Sequence, residues 1–377
     1  MSAPTPLREA IPVEIRDIEK SLNQQLKAAQ APGEGPIVRA RMSNLIIYTE
    51  SAAKAAEIEE QIPSLAAVHP ARVILLVHER GHDSPELTAS TRTGVTRVGT
   101  GLRAFSETII LRADGDAGRH LPFAVRELLI GDLPTNIWWA VERPPSMAGE
   151  AQQQFADHAD QLVYDSYGWP EPAKGMAATS SWLERFERPA HHRRRRRVAS
   201  DLTWRRLKTW RSLIAQALDP ASTPHSPPES VGEVVVDHGP HSVLHAWTLA
   251  SWLSLVLGWV VQSVEVRPNE EIHWRLSAGG SPRQIRIRRF ADLPRGISRV
   301  NLACSLDGTP GSLELKCEGP RRLSITPMGI DASPRTVAIP DASMVELLGR
   351  QLSDREADPV FRQSMAVAQS LAQSVLG

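Results

Sequence analysis

The segment VRARMSNLIIYTESAAKAAEIEEQIPSLAAVHPARVILLVHE, residues 38–79, decides the fold class of this chain. Its first twelve residues form a strand-like run, and residues 51–62 have a helical pattern. Residues 71–79 are a short apolar run typical of a buried strand. Strand runs that alternate with helical patterns are typical of βαβ units. The segment therefore predicts a sheet with helices packed against it.

Similar patterns continue on both sides of this segment. Residues 12–29 have a helical pattern, and the runs ELTASTRT and LRAFSETIILRA have the period-2 alternation of antiparallel ribbon strands. Three further elements follow: a helix from Leu121 to Ile130, the strand NIWWAV (136–141) and the strand QLVYDS (161–166). We interpret QLVYDS as the last strand of a first domain.

The rest of the chain has the patterns of a second domain. GWPEPAKG (168–175) is typical of a connector, and Ser181 with Glu184 has the spacing of a capping box that opens a short helix to Glu187. The later patterns are a helix from Asp201 to Leu218, a strand at 232–238, a tryptophan-rich helix at 243–260, strand-like runs at 261–324 and a helical end opened by Ser343 and Glu346.

These patterns predict an α+β (mixed α/β) fold with two domains, each with a mixed or antiparallel sheet packed against helices. The predicted divisions are an N-terminal helix and linker (1–36), an α/β domain (37–167), a connector with a basic run (168–200) and a C-terminal α+β domain (201–377).

Composition limits the classes of function. The chain has 377 residues, of which 41% are apolar, so it can build two buried cores. Lys plus Arg and Asp plus Glu are both 43, so no net charge attracts the whole molecule to nucleic acid or to a membrane. The N-terminus lacks a signal-peptide pattern, and polar residues interrupt the most apolar window, Val243 to Val261. We expect a cytoplasmic protein.

The residues His78, Glu79 and His82 form an HExxH pattern, the signature of zinc proteases. A zinc site of that kind needs a helix, on which i, i+4 spacing puts both imidazoles on one face. Here the pattern follows a strand and contains Gly81, so we interpret it as a chance match.

A second candidate set consists of His238, His241 and His245, the last two at i, i+4 on the tryptophan-rich helix. No cysteine or carboxylate accompanies them at ligand spacing, and a polar helix face near an N-terminus explains them as well as a ligand role does. We predict no metal. The glycine-rich phosphate loops and the nucleophile elbow are also missing, so we predict no cofactor and no catalytic residues.

The two cysteines, Cys304 and Cys317, flank the turn-like DGTPG. If Leu306 pairs with Ser312, the cysteines are offset by three residues along the strands, about 10 Å. That distance exceeds the Cα separation of a disulfide, so we predict two free thiols.

The strongest charge feature is a basic run: residues 188–211 contain ten Lys or Arg and one acid, Asp201. Such a run is a solvated loop, a docking patch for an acidic protein surface or a nucleic-acid contact. Net neutrality disfavours nucleic acid. The candidate partner-binding arginines are Arg193, Arg194, Arg195, Arg196 and Arg197.

Ten tryptophans against three tyrosines is an unusual balance. The neighbours Trp138 and Trp139 must point to opposite faces of a strand. Because aromatic and arginine side chains are typical anchors of interfaces, we add Trp138, Trp139, Trp204, Arg205 and Trp210 to the candidate contacts. Packing between the two domains is the competing explanation for the helix that carries Trp204 and Trp210.

Three segments, at residues 127–145, 201–220 and 243–260, in this order, resemble the OpcA family, the glucose-6-phosphate dehydrogenase assembly proteins, and two more, at 68–77 and 347–361, fit the same family. The three are ELLIGDLPTNIWWAVERPP, DLTWRRLKTWRSLIAQALDP and VLHAWTLASWLSLVLGWV, and the two that fit are VHPARVILLV and LLGRQLSDREADPVF. The resemblance implies a non-catalytic protein that binds glucose-6-phosphate dehydrogenase and promotes its active oligomer in the pentose phosphate pathway. The alternative is a sugar-phosphate-binding protein or enzyme that uses arginine clusters.

Overall fold

A computed structural model describes residues 9–30, 36–81, 86–98, 102–188, 196–219, 228–268, 271–306, 309–330, 333–339 and 343–377. Among these residues, no helix is long and apolar enough to cross a membrane.

The first half of the chain forms one sheet with helices around it. Its strands are β1 (Ile11–Pro12), β2 (Ile37–Arg39), β3 (Ser43–Thr49), β4 (Ala71–Glu79), β5 (Leu87–Val98), β6 (Leu102–Asp114), β7 (Thr135–Trp139), β8 (Gln161–Tyr164) and β9 (Val198–Asp201). Its helices are α1 (Ile18–Ala29), α2 (Ala52–Val68), α3 (Leu121–Leu128), α4 (Glu150–Ala156), α5 (Pro172–Glu187), α6 (Leu202–Arg206) and α7 (Lys208–Ala217).

The strands of this sheet follow the order β1-β5-β6-β4-β3-β7-β8-β9, and β2 pairs with β6. From β6 to β9 all pairs are parallel, whereas β5 and β6 form the predicted antiparallel ribbon. Numbered along the chain, the six parallel strands take the order third, second, first, fourth, fifth, sixth. This is the strand order of doubly wound dinucleotide-binding sheets, in which a ligand crevice lies where the order reverses. Here that point lies between β3 and β7.

The second half of the chain forms another sheet. Its strands are β10 (Val231–His238), β11 (Val260–Arg267), β12 (Glu271–Ala278), β13 (Ser281–Arg289), β14 (Ile297–Leu306), β15 (Thr309–Cys317), β16 (Arg322–Met328) and β17 (Arg335–Ala338). Three helices accompany them: α8 (Val243–Val256), α9 (Met344–Ser353) and α10 (Pro359–Leu376).

This sheet has the order β11-β12-β13-β10-β14-β15-β16-β17. Only β10 and β13 pair in parallel. One face packs on α8, where Trp247 and Trp274 meet edge to face at 5.0 Å between ring centroids. The predicted mixed fold with two sheet-containing regions is therefore confirmed.

Several predicted boundaries are wrong. Helix α5 begins at Pro172, inside the predicted connector, because proline is compatible with the first turn of a helix. Strand β9 was not predicted, and QLVYDS is therefore not the last strand of the sheet. The helix predicted from Asp201 divides at Leu207 into α6 and α7, and the first helix starts at Ile18. The capping box of Ser343 and Glu346 is confirmed.

The predicted register around the cysteines is also wrong. Leu306 pairs with Thr309, and Cys304 pairs with Gly311, so the hairpin closes three residues earlier than predicted. Residues 307 and 308 of the turn lie outside the described residues. Cys317 lies six residues beyond Gly311 on β15, so the two thiols are about 20 Å apart along the strand. Both cysteines are free.

Helices from the end of the chain pack against the first sheet. Leu347, Leu348 and Leu352 of α9 belong to the core that β3, β4 and α2 form. Helix α10 packs between α5 and α8. Gln161 of β8 donates hydrogen bonds to the carbonyls of Gln351 and Asp354, at 2.9 and 2.8 Å. The predicted division at residue 201 stays a prediction.

Candidate partner-binding site

The segment DLTWRR begins where β9 ends, and Asp201 fixes its start. The carboxylate of Asp201 caps α6 by accepting from Thr203 N at 2.9 Å. It also accepts from the backbone N and the Oγ of Ser166, at 3.1 and 2.6 Å. Asp201 is buried. The segment is therefore anchored to the loop that follows β8.

Trp204 lies inside the protein, with 6% of its surface exposed. Its Nε1 donates to Asp358 Oδ2 at 2.8 Å, its ring lies 5.5 Å from that of Phe361, and the Arg211 guanidinium lies 3.2 Å from its centroid. Trp204 thus joins α6 to α10. Trp210 is buried as well.

The two arginines of this segment also bind groups of the same chain. Arg205 donates to Gln351 Oε1 at 2.9 Å and to Asp354 Oδ2 at 3.2 Å. Arg206 forms a bidentate ion pair with Asp165, in which Nη1 donates to Oδ1 at 2.6 Å and Nη2 donates to Oδ2 at 2.7 Å. The segment therefore connects β8, α9 and α10. No residue of the segment is exposed, whereas Lys208, Ser212, Ala215 and Gln216 of the following helix, α7, are exposed.

Of the five candidate arginines of the basic run, Arg193, Arg194 and Arg195 lie outside the described residues. Arg196 is exposed. Arg197 is not: its side chain is 14% exposed, pairs with Asp157 at 3.2 Å and lies over the Phe186 ring at 4.8 Å. At Arg197 the interpretation as a solvated loop is wrong, because the side chain packs against α5.

Trp138 and Trp139 are each 3% exposed and pack on opposite faces of β7. Trp139 Nε1 donates to the Arg143 carbonyl at 2.8 Å, and its ring stacks on Tyr48 at 5.0 Å. The tryptophans at 138, 139, 204 and 210 thus form no exposed aromatic surface in this chain. Contact of these residues with a partner stays a prediction.

The crevice between β3 and β7 contains an ion cluster around Glu50, the residue that follows β3. Its carboxylate accepts from the Arg143 guanidinium, from Arg80 at 2.9 Å and from the Tyr48 hydroxyl at 2.9 Å. Burial opposes the ionisation of Glu50, but the hydrogen bond and charge of Arg143 outweigh it and lower the pKa of Glu50. Ser51 caps α2 by accepting from Lys54 N.

A dinucleotide pyrophosphate binds such a crevice through a glycine-rich turn and free N–H groups at the helix start. The turn between β3 and α2 has no glycine. Ser51 already caps the start of α2, and the carboxylate of Glu50 lies in the turn. This arrangement disfavours a bound dinucleotide.

His78 lies at the end of β4, as the pattern predicted, and not on a helix. Its Nδ1 is 3.2 Å from the Tyr48 hydroxyl, and its Nε2 is 2.9 Å from the Gly115 carbonyl. His82 lies outside the described residues. In the parts of the chain that the structure describes, no three His, Cys, Asp or Glu side chains are grouped to hold a metal ion.

The second set of histidines is divided between a strand and a helix. His238 ends β10, and His245 lies in α8. His241 precedes α8 with φ of 58°, so its predicted i, i+4 position on one helix with His245 is wrong. Burial, followed by the charge of Arg206, lowers the pKa of His245 to about 3. His245 is therefore neutral at physiological pH.

Asp201 gives the site a pH dependence. Burial, followed by the charge of Asp165, raises the pKa of Asp201 to about 7. The unfolded carboxyl titrates near pH 4, about its ordinary value. The stability that this group contributes is therefore full below about pH 4 and is lost as the pH rises through about 7. We expect Asp201→Asn to gain stability relative to the wild type between about pH 5 and pH 8, measured by chemical unfolding.

The exposed Asp354→Asn serves as the control, and its difference from the wild type should stay nearly constant over that range. Equal profiles for Asp201→Asn and Asp354→Asn would contradict the assignment to Asp201.

Sequence analysis missed Asp165, Arg206 and Asp358 as members of this site. No local pattern marks them, because their partners are 41 or 154 residues away in the chain. Only Asp201 had a signal, as an acid directly before a helical pattern.

Family profiles and individual proteins that match this chain belong to the same family. Residues 63–181 match the family profile described as glucose-6-phosphate dehydrogenase subunit N-terminal domain, and residues 197–365 match that of the C-terminal domain. The OxPP cycle protein OpcA of Synechocystis sp. is 23% identical over 330 residues, which cover 82% of this chain and 65% of that protein. The OpcA protein of Synechococcus elongatus is 24% identical over 249 residues, 66% of this chain and 50% of that protein. The matches thus span about half to two thirds of these relatives.

Two solved structures are similar in part. An oxidoreductase from Sinorhizobium meliloti has a TM-score of 0.48 and 12% identity over 89% of this chain and 97% of that chain. A super-repressor mutant of Gal80p from Saccharomyces cerevisiae has a TM-score of 0.49 and 9% identity over 89% and 96% of the two chains. With TM-scores below 0.5, these similarities carry no functional inference.

Proposed function

Because the chain belongs to the OpcA family of glucose-6-phosphate dehydrogenase assembly proteins, we propose that it binds a glucose-6-phosphate dehydrogenase in the cytoplasm and favours the active oligomer of that enzyme. The observation that carries the proposal is the match of both domain profiles, in order, to residues 63–181 and 197–365. An activator of this kind needs only a higher affinity for the active oligomer than for the inactive form.

The crevice of the first sheet supports the view that the protein has no dehydrogenase activity of its own. A nicotinamide cofactor would have to displace the pair of Glu50 and Arg143 and uncap α2. The protein would then act on the partner enzyme by binding alone. Neither a membrane nor a nucleic acid has a part in the proposal.

The five arginines Arg193 to Arg197 of the basic run are the proposed docking element for the partner. This element is joined to α5 on one side and to β9 on the other, and Asp201 and Arg206 hold the chain that follows it. A basic segment on a fixed support attracts an acidic surface over about one Debye length, near 10 Å at moderate salt. Such attraction increases the rate of association more than the final affinity.

The proposed function is tested with the dehydrogenase of the same organism. Increasing amounts of this protein should raise the dehydrogenase activity until the gain reaches a plateau at a fixed subunit ratio, and the oligomer should grow in light scattering. The protein alone should not reduce a nicotinamide cofactor. Full activity and unchanged oligomer size with or without the protein would reject the proposal.

Replacing Arg193 to Arg196 by Ser tests the docking element, and Arg197 is kept because it packs on Phe186. The melting temperature should stay nearly unchanged, because the proposal gives these arginines a part in docking and none in folding, and the exposed charge of Arg196 contributes little to stability. Association with the dehydrogenase should become slower, and its rate should lose most of its dependence on salt. Stopped-flow or surface-based kinetics at several salt concentrations measures this.

A control variant removes three exposed arginines of the second half, Arg295, Arg321 and Arg322, in the same way. Its association should keep the wild-type salt dependence. If both variants behave alike, the run has no specific part in docking.

A further inference from the structure

Strands β2 and β4 leave a gap in the first sheet where they meet. Because β5 pairs along one side of β6, both β2 and β4 must lie on its other side. There β2 pairs with Arg103 to Phe105, and β4 pairs from Glu107 onwards. Both run parallel to β6, so the end of β2 faces the start of β4. The gap lies beside Ser106.

Three arginines come from the two strand ends at this gap. Arg39 ends β2, Arg41 follows it, and Arg72 is the second residue of β4. All three lie around Glu107 of β6, which is 2% exposed. Because these residues come from separate parts of the chain, no sequence motif marks the cluster.

Two of these arginines donate hydrogen bonds to the carboxylate of Glu107, one to each oxygen. Arg72 Nε donates to its Oε1 at 2.7 Å, and Arg41 Nη2 donates to its Oε2 at 2.5 Å. Arg72 also donates to Glu19 Oε1 at 2.5 Å and to the Leu128 carbonyl at 2.9 Å. Glu107 and Arg72 therefore have hydrogen-bond partners that do not include Arg39.

Arg39 is the incomplete member of the cluster. Its Nε is 3.8 Å from Glu107 Oε2, which is an ion-pair distance but too long for a hydrogen bond. Arg39 Nε and Nη2, and Arg41 Nε, are inaccessible to solvent and have no acceptor. Unsatisfied buried donors of charged groups are costly. The Nε of other described arginines, Arg92 among them, also has no acceptor, but Arg39 has two such atoms on one edge of its guanidinium. Nε and Nη2 lie on one edge of the guanidinium and form the fork that binds two oxygens of one anion.

The cluster also has one more positive than negative side chain, which favours the binding of an anion. The three guanidiniums face only two carboxylates, Glu107 and Glu19. Burial lowers the pKa of Arg39. The charge of Glu107 opposes this effect, and the charges of Arg41 and Arg72 add to it. The side chains of Arg39 and Arg41 are 22% and 18% exposed, so an anion can approach the cluster from one side, and Arg39 must turn towards that side to present its covered Nε and Nη2.

We propose that the gap between β2 and β4 is a binding site for a phosphate group, free or carried by a small phosphorylated metabolite, with Arg39 as its fork and Arg41 as its second donor. Phosphate fits better than a carboxylate because its oxygens, spread in three dimensions, accept from both guanidiniums at once. The site lies at the amino ends of the parallel strands, whereas the Glu50 crevice lies at their carboxyl ends. The proposal does not rest on the proposed function, since the isolated chain suffices to test it.

Calorimetric titration of the full chain, in a buffer without phosphate or sulfate, tests the site with inorganic phosphate and with glucose 6-phosphate. Both should bind saturably with one site per chain and raise the melting temperature. Arg39→Gln should weaken binding at least about tenfold, as the loss of a charge-assisted fork implies. Glu107 keeps Arg41 and Arg72 in this variant, so the fold should be retained.

Arg92→Gln is the matched control, because Arg92 is also a partly buried arginine of this sheet with a single carboxylate partner, Glu59. It should bind phosphate with wild-type affinity. Should Arg39→Gln prove unfolded, Arg39→Lys keeps the charge and removes the fork, and it should bind more weakly than the wild type.

The probes distinguish the sources of the phosphate. Equal affinity for inorganic phosphate and glucose 6-phosphate assigns the site to the phosphate group alone, and tighter binding of glucose 6-phosphate assigns it to a phosphorylated sugar. Absence of saturable binding, wild-type affinity in Arg39→Gln, or binding of unphosphorylated glucose as tight as that of glucose 6-phosphate would overturn the proposal.

Discussion

Glu107→Gln is expected to lower the free energy of unfolding by about 3–5 kcal/mol, the usual cost of removing one partner of a buried ion pair. Three guanidiniums surround this carboxylate, and Arg72 is 5% exposed. An amide keeps the shape but not the charge, so the three arginines would repel one another with Glu19 as their one remaining carboxylate partner among the described contacts. Urea unfolding followed by circular dichroism measures the loss.

Glu314→Gln is the control for this experiment, because Glu314 pairs with Arg299 while 30% exposed. Its loss should be below about 1 kcal/mol, as for other solvent-exposed pairs. Similar losses for both variants would mean that the Glu107 cluster is hydrated and contributes little.

Trp204→Ala is expected to cost about 3–5 kcal/mol, as for other buried tryptophans. The change removes the contacts with Phe361 and Arg211 and the hydrogen bond to Asp358, which hold α10 against α6. The variant should therefore lose activation of the dehydrogenase through unfolding, in step with its lower melting temperature.

Trp204→Phe separates this structural effect from contact with a partner. It keeps an aromatic ring at position 204, but it removes the N–H that donates to Asp358 and part of the buried ring volume, at a cost of about 1–3 kcal/mol. Well below its melting temperature it should activate the dehydrogenase fully. A folded Trp204→Phe that fails to activate would instead support Trp204 as a partner contact.

The segments that sequence analysis predicted well are those whose environment is uniform along the element. Strand β4 pairs in parallel on both sides and is buried from residue 71 to residue 77, so its residues 73–77 form a continuous apolar run. Strand β9 has only four residues between a basic run and a helix, and α5 starts with residues typical of turns. In these places tertiary packing, not local preference, decides the structure.

The candidate site was predictable only in part for the same reason. Aromatic and basic residues marked the DLTWRR segment correctly as unusual, but composition does not distinguish an outward surface from an inner junction. The contacts with Asp165 and Asp358 show that this segment is an inner junction, and no sequence pattern predicts these contacts. The cluster at Arg39 likewise depends on how two strand ends meet along β6.

The packing of Leu347, Leu348 and Leu352 onto α2 has a consequence for synthesis on the ribosome. The last strand of the first sheet ends at Asp201. The core between this sheet and α2 is completed only by residues of α9, about 150 positions later in the chain. At about 5–20 residues per second, that delay is roughly 8–30 seconds. During this interval a nascent chain exposes apolar side chains of α2, so a chaperone that binds such surfaces would have its longest opportunity there.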